Sequence, residues 1–392
     1  MIRTGIESLR HTNFGLLAGR RVGLMTNPSG VDRALRSTVD ILWQAPQVNL
    51  VVLFSPEHGL TASAPDAEKI ASMTDKRTGL PIYSLYGDTV QPTETMLADV
   101  DVIVCDVQDV GVRFYTYVWT VSHILEAAGK HGVEVVILDR PNPLGGVTVA
   151  GPSLDDRFSS FVGRFPIPIQ HGLTLGELAQ MVNATWNPTR AVLTVVSCEG
   201  WTRAMDWADT GLAWVSPSPA IPHISTVQQY PGACLVEGTR LSEGRGTALP
   251  FEVVGAPWID AAALADHLNA QEWPGVRFRP HAFLPTDSKW RGKTCYGVQV
   301  HIQDIAAWCP IPVWLGVIRA IRWLYPDQFE WLPPQSGGVE AGGVHHFDRL
   351  IGSDAVRQQI DAGAALAEIV ADWETTRSAF LEQREPYLLY ES

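Results

Sequence analysis

Glu57 sits in the run Ser55-Pro56-Glu57-His58-Gly59, directly after an apolar stretch. Proline and glycine on either side of it set a tight loop. A carboxyl held at an apolar strand end is open to partial desolvation, which raises its pKa toward the range where it donates a proton. Glu57 is therefore the first choice for a general acid or base, against a structural carboxylate bonded to backbone N–H groups. His58 either orients Glu57 or touches a ligand, although a lone histidine is more often structural. Asp106 and Asp109 lie three apart in Asp106-Val107-Gln108-Asp109. Either one can supply the second carboxylate of a glycosidase-type pair or bind sugar hydroxyls; the plain alternative is a capping aspartate. Arg113 carries a planar fork of donors suited to a substrate carboxylate, or to an internal ion pair with Asp106 or Asp109. Tyr115 and Tyr117 offer rings for sugar contact or for packing.

Further polar residues occupy equivalent positions. Asn27 opens Asn27-Pro28-Ser29-Gly30, and Asn142 lies in Arg140-Pro141-Asn142-Pro143. His171 precedes a helix start at which Thr174 and Glu177 have capping-box spacing, so Glu177 reads as structural. Glu237, Glu243 and Arg245 share a second turn-rich cluster, EGTRLSEGRGT. That cluster lacks the GxxxxGK[ST] spacing of a phosphate loop, and no GxGxxG follows the first strand, which disfavours nucleotides. There is no HExxH and no zinc-type Cys/His spacing, and the adjacent His345 and His346 point apart, so neither metal nor cofactor is expected. No serine sits in a GxSxG elbow.

What must position these residues is a set of short apolar strands over 22–26, 50–55, 82–85, 102–106 and 135–139, each closed by a polar turn. Helical spacing between them, clearest over 118–130, predicts strand–helix–strand crossovers and a largely parallel sheet. A helix over 175–185 and a strand over 191–197 extend the pattern. The expected fold is α/β: a Rossmann-like, doubly wound parallel sheet followed by a smaller C-terminal α/β domain. The expected boundaries are residues 1–208, an irregular proline-rich crossing segment 209–231, and residues 232–392. In the last part, strands are predicted over 276–279 and 294–302, a helix over 366–381, and a glycine-rich loop over 333–343. Open parallel sheets bind ligands beyond the carboxyl ends of their strands. Four such ends carry ionisable and turn-forming residues here, which predicts one composite site in a cleft between the domains.

Bulk properties narrow the classes further. The 392 residues carry 29 Lys plus Arg against 42 Asp plus Glu, a net charge of −13. With no basic run, the chain is not expected to bind nucleic acid. No apolar stretch reaches the roughly 18–20 residues of a membrane span. The first residues show no apolar signal region, so the expected compartment is the cytoplasm, or outside the cell if the chain is a mature form. The five cysteines are widely spaced and form no CxxC.

The runs TNPSGVD, LFSPEHGL, DVQDVGVRFYTY, LDRPNPLGG, QHGLTLGELA, YPGACLVEGTRLSEGRGT, PFEVVGAPW and YLLY occur in this order along nearly the whole chain. As a set the sequence resembles the exo-β-N-acetylmuramidase family of peptidoglycan-recycling glycosidases. The resemblance implies a two-domain enzyme without a cofactor that releases N-acetylmuramic acid from the non-reducing end of peptidoglycan fragments. Its partner would thus be a small carbohydrate substrate; an oligomeric state is not implied. The glutamate of the family's SPEHG run maps onto Glu57. The lactyl carboxylate of that sugar calls for a local cation in an acidic protein, Arg113 or Arg245. A non-catalytic receptor for muropeptides, or a hydrolase of another β-linked amino sugar, are the competing functions.

Overall fold

In a parallel sheet both faces are covered, so its strands are continuous apolar runs rather than alternating ones. That is the pattern in the first half of the chain. The computed structural model describes residues 2–64, 68, 69, 71–335, 339 and 342–391. The glycine-rich loop expected over 333–343 thus lies partly outside the described residues. The strands are β1 (Arg21–Thr26), β2 (Asn49–Ser55), β3 (Met73–Thr74), β4 (Pro81–Ser84), β5 (Val102–Asp106) and β6 (Glu134–Leu138). β7 (Ala150–Ser153) and β8 (Pro168–Gln170) form a separate ribbon, and β9 (Leu193–Val196) returns to the large sheet. The large sheet runs β3-β4-β2-β1-β5-β6-β9, and only the short β3 is antiparallel to its neighbour.

The chain divides into two compact units that are not contiguous in sequence. The first comprises Met1–Thr148, His171–Pro222 and Leu381–Ser392; the second comprises Val149–Gln170 and His223–Phe380. In the first, Ile6, Leu9, Leu24, Leu42, Val104 and Leu138 belong to one buried cluster. Each such side chain contributes about 1.5–3 kcal/mol by leaving water. The helix Tyr117–His131 buries Val118, Val121, Leu125 and Ala128, the residues whose spacing predicted it. Gly129 on this helix is a close-approach position, since a Cβ there would lie 1.9 Å from the Thr189 carbonyl oxygen.

In the second unit β10 (Val253–Ala256), β11 (Val276–Phe283) and β12 (Cys295–Ile302) form an antiparallel sheet with β12 in the middle. The helices Ala261–Asn269 and Pro310–Leu324 belong to the same unit. Two sequence expectations need correction. The proline-rich 209–231 segment is not irregular to its end, because a helix runs over Ile224–Ala233 with Pro231 inside it. Pro217, Pro219 and Pro222 all precede that helix, and buried Gln229 anchors it. Its amide accepts from the Trp314 indole at 3.1 Å and donates to the Val300 carbonyl at 3.0 Å. The single helix expected over 366–381 is two, Leu366–Ala371 and Trp373–Arg384. Among the described residues no helix is long and apolar enough to cross a membrane.

Candidate active site

The parallel register sets the strand ends side by side. Thr26 pairs with Asp106 across β1 and β5, and its hydroxyl donates to the Asp106 carbonyl at 2.7 Å. The Asp106 side chain, fully buried, is held on both oxygens. Arg140 donates to it from Nε at 2.6 Å and from Nη2 at 3.1 Å, and the Thr38 hydroxyl donates to Oδ2. Asp106 thus forms its ion pair with Arg140, a residue the sequence analysis did not weigh as its partner. Asn27 ties the first strand-end loop together: its side chain accepts from the Ser29 amide at 3.0 Å and donates to the Pro217 carbonyl at 3.0 Å. Ser29 in turn accepts from the Gln108 amide at 2.9 Å, so the β1 and β5 loops are linked.

Glu57 follows β2 and is half-buried. Pro56 and Gly59 close its loop with a 3.0 Å bond, and His58 adopts φ 68°. A non-glycine residue in that region is strained by order 1–3 kcal/mol, and such strain gathers at functional loops. His58 Nδ1 donates to the Ala64 carbonyl at 2.9 Å, which fixes the ring on its own loop. Thr116 donates to Glu57 Oε2 at 2.7 Å and thereby joins the β2 and β5 loops. Sequence reasoning missed Thr116. Its only signal was its place between the two tyrosines of the quoted motif.

Asp109 lies on the same loop, buried, with Oδ2 accepting from the Gly111 amide at 2.7 Å. Gly111 has φ 78°, and a Cβ on it would sit 2.4 Å from Asn142 Oδ1, so only glycine permits this packing. Asn142 is spent on the scaffold: it donates to the Leu173 carbonyl and accepts from the Leu144 amide, both at 2.9 Å. Burial pushes the Asp109 carboxyl up to about 7, with Asp139 adding repulsion against the Gly111 and Val110 amides. Among the described residues its Oδ1 has no hydrogen-bond partner. His171 Nε2 lies 3.9 Å from Asp109 Oδ2 and likewise has no hydrogen-bond partner among the described residues. His171 Nδ1 accepts from the Leu173 amide at 3.2 Å, so the ring proton sits on Nε2 and faces Asp109. Burial, then Arg384, Arg113 and Arg203, push His171 down to about 3, which keeps the imidazole neutral.

The other predicted groups divide by exposure. Arg113 is fully buried, and that burial pushes its guanidinium down to about 9. Its carbonyl accepts from the Trp119 indole at 2.7 Å. Tyr115 and Tyr117 pack edge to face at 4.8 Å, and the Tyr117 hydroxyl donates to the Pro217 carbonyl at 2.5 Å. Beneath the loop His171–Gly172, buried Arg203 and Arg384 both donate to the Gly146 and Gly172 carbonyls. In the second unit Glu237 accepts from Arg245 Nε at 2.9 Å and Nη2 at 2.6 Å. Against its own burial, Arg245 and then His346 hold Glu237 well below the usual carboxylate range. Glu243 lies 3.5 Å from Arg245 and 2.7 Å from Lys289, a cation that no motif or spacing had marked. The Arg245 side chain remains 15% exposed, against 0% for Arg113, so only Arg245 presents an edge to solvent. Among the described residues no group of His, Cys, Asp and Glu is placed to hold a metal.

The loops after β2 and β5 thus carry a half-buried carboxylate and a second carboxyl raised by burial, and the neutral His171, which follows β8, lies beside the second. Residues 22–225 match the family model Exo-beta-N-acetylmuramidase NamZ, N-terminal, and residues 228–390 match its C-terminal counterpart. The chain belongs to the NamZ family. It is 43% identical over 389 residues to the peptidoglycan beta-N-acetylmuramidase NamZ of Bacillus subtilis (strain 168), covering 99% of this chain and 91% of that protein. Two crystal structures of DUF1343 family proteins from Bacteroides fragilis NCTC 9343 are also similar. One has TM-score 0.89 and 40% identity, the other 0.81 and 32%, each covering 100% of this chain and 99% of theirs. Those two proteins share the fold over the length of this chain.

Proposed function

We propose that this chain is an exo-β-N-acetylmuramidase, a glycosidase that releases N-acetylmuramic acid from the non-reducing end of peptidoglycan fragments. The observation that carries it is the near-full-length match to the Bacillus subtilis enzyme, with both family domains present in order. Glycoside hydrolysis needs a carboxyl that protonates the departing oxygen and a second group that meets charge at the anomeric carbon. Glu57 takes the first role. It lies at a strand end, is half-buried, and its Oε2 is oriented by Thr116. Asp109 is the better second carboxyl. Asp106 has both oxygens committed to Arg140 and Thr38, whereas among the described residues Asp109 Oδ1 has no hydrogen-bond partner and His171 lies beside Oδ2. Asp106 is then a strut that holds the strand ends in place.

The test is turnover of a chromogenic N-acetylmuramide by Glu57→Gln. The amide keeps the size and the Thr116 contact but carries no transferable acid proton. The expected loss is about 10²–10⁴-fold in kcat with little change in KM. Wild-type turnover in this variant would remove Glu57 from the mechanism. Absence of turnover in the unaltered chain, with binding retained, would favour the receptor reading instead.

A further inference from the structure

Trp323 exposes 70% of its surface, the largest exposure among the exposed large hydrophobic residues described here. It lies in the last turn of the helix Pro310–Leu324 and lines a groove of about 790 Å³ contained within the second unit. That volume falls in the roughly 300–1,000 Å³ range of small-ligand sites. The indole is not loose, because His267 stacks on it at 5.3 Å with 27° between the planes. Arg319 and Arg322 line the same groove. The Arg319 guanidinium is fixed by a 2.6 Å bond to the Ala364 carbonyl, and Arg322 is fixed by Asp361 at 2.6 Å. Two guanidiniums against one carboxylate leave the groove locally positive in a chain of net charge −13.

A flat, rigid, solvent-facing ring is a platform for the C–H face of a pyranose, and fixed guanidiniums beside it pair with carboxylates. We propose that this groove is a second carbohydrate site, which holds internal units of an anionic amino-sugar strand by stacking on Trp323 and pairing with its arginine rim. The occupant follows from charge complementarity, since peptide-free strands containing N-acetylmuramic acid carry a free lactyl carboxylate on every second sugar. This rests on the reading of the substrate given above. The site would retain the enzyme on long strands without touching the hydrolysed bond.

The test uses the full chain and its Trp323→Ala and Trp323→Phe variants. Affinity is measured for immobilised, peptide-free glycan strands capped at the non-reducing end by N-acetylglucosamine, which release of N-acetylmuramic acid from that end does not shorten. Turnover of the chromogenic muramide is measured in parallel. Trp323→Ala should weaken strand binding about tenfold and Trp323→Phe much less, with muramide turnover unchanged in both. Neutral chitotetraose should compete more weakly than a muramic-acid-containing tetrasaccharide. Undiminished strand binding by Trp323→Ala, or equal competition by the two tetrasaccharides, overturns the proposal. Loss of strand binding in Trp323→Ala when the unaltered chain shows no muramide turnover would uphold the groove while removing the hydrolase reading.

Discussion

Asp109 and His171 show how two buried groups pull stability in opposite directions with pH. The Asp109 carboxyl is raised from 3.8 to about 7 by burial, so between those values the folded chain holds a proton that the unfolded chain has lost. Its contribution is complete below the unfolded value and is lost as pH rises toward 7. His171 is lowered from 6.5 to about 3, so here the unfolded chain binds the extra proton and stability falls as pH drops through that window. Asp109→Asn keeps an oxygen for the Gly111 amide but deletes the first slope. Its deficit against the unaltered chain should therefore grow on acidification from pH 7 to 4, by on the order of a few kcal/mol. Thermal melts at both pH values test this, and an equal deficit at each would refute the assignment. Little of this was legible in residue types. The spacing of Asp106 and Asp109 marked both as candidates, but Arg140 and Thr38, which occupy Asp106, are 34 and 68 residues away in sequence.

At the scale of elements, the strands were the most legible feature. Burial on both faces of a parallel sheet writes itself as apolar runs, and β5 occupies the very residues expected. The helix Leu175–Thr185 was legible too, through its Thr174–Glu177 box, but its cap does more than close a helix. The Thr174 side chain accepts from the Glu177 amide at 3.2 Å and donates to buried Asp139 at 2.7 Å. Thr174→Ala should thus cost more than an ordinary cap, about 2 kcal/mol or above, because it also strips a donor from a buried carboxylate. A denaturant midpoint that moves by no more than a typical cap loss would show that Asp139 does not rely on it. The helix Ile224–Ala233 was illegible because proline content argued against it, whereas packing through Gln229 decided the outcome. The short ribbon β7–β8 left no periodic trace at all.

Across the whole molecule, the first unit contains residues from both ends of the sequence. The Tyr390 hydroxyl donates to Asp139 Oδ2 at 2.6 Å and accepts from the Cys198 amide at 3.0 Å, while Arg384 holds the loop of His171 by its carbonyls. Tyr390→Phe should cost about 1–3 kcal/mol in denaturant unfolding, and removal of residues 381–392 should cost far more, because it bares several buried acceptors at once. Equal stability of the shortened and full chains would show that the tail merely rests on the fold. The quoted YLLY run marked this segment without revealing its task, since neither spacing nor composition links it to a strand some 250 positions earlier. The net charge was legible at once, yet the arginines at 113, 140, 203 and 384 are buried and spent inward. The tail's placement also sets an order of assembly. During translation the parallel sheet emerges early, but the carboxyl at 139 and the carbonyls at 146, 171 and 172 must wait in water until residue 390 has cleared the ribosome. The sheet can therefore form before Asp139 and the loop of His171 gain the partners that Tyr390 and Arg384 supply.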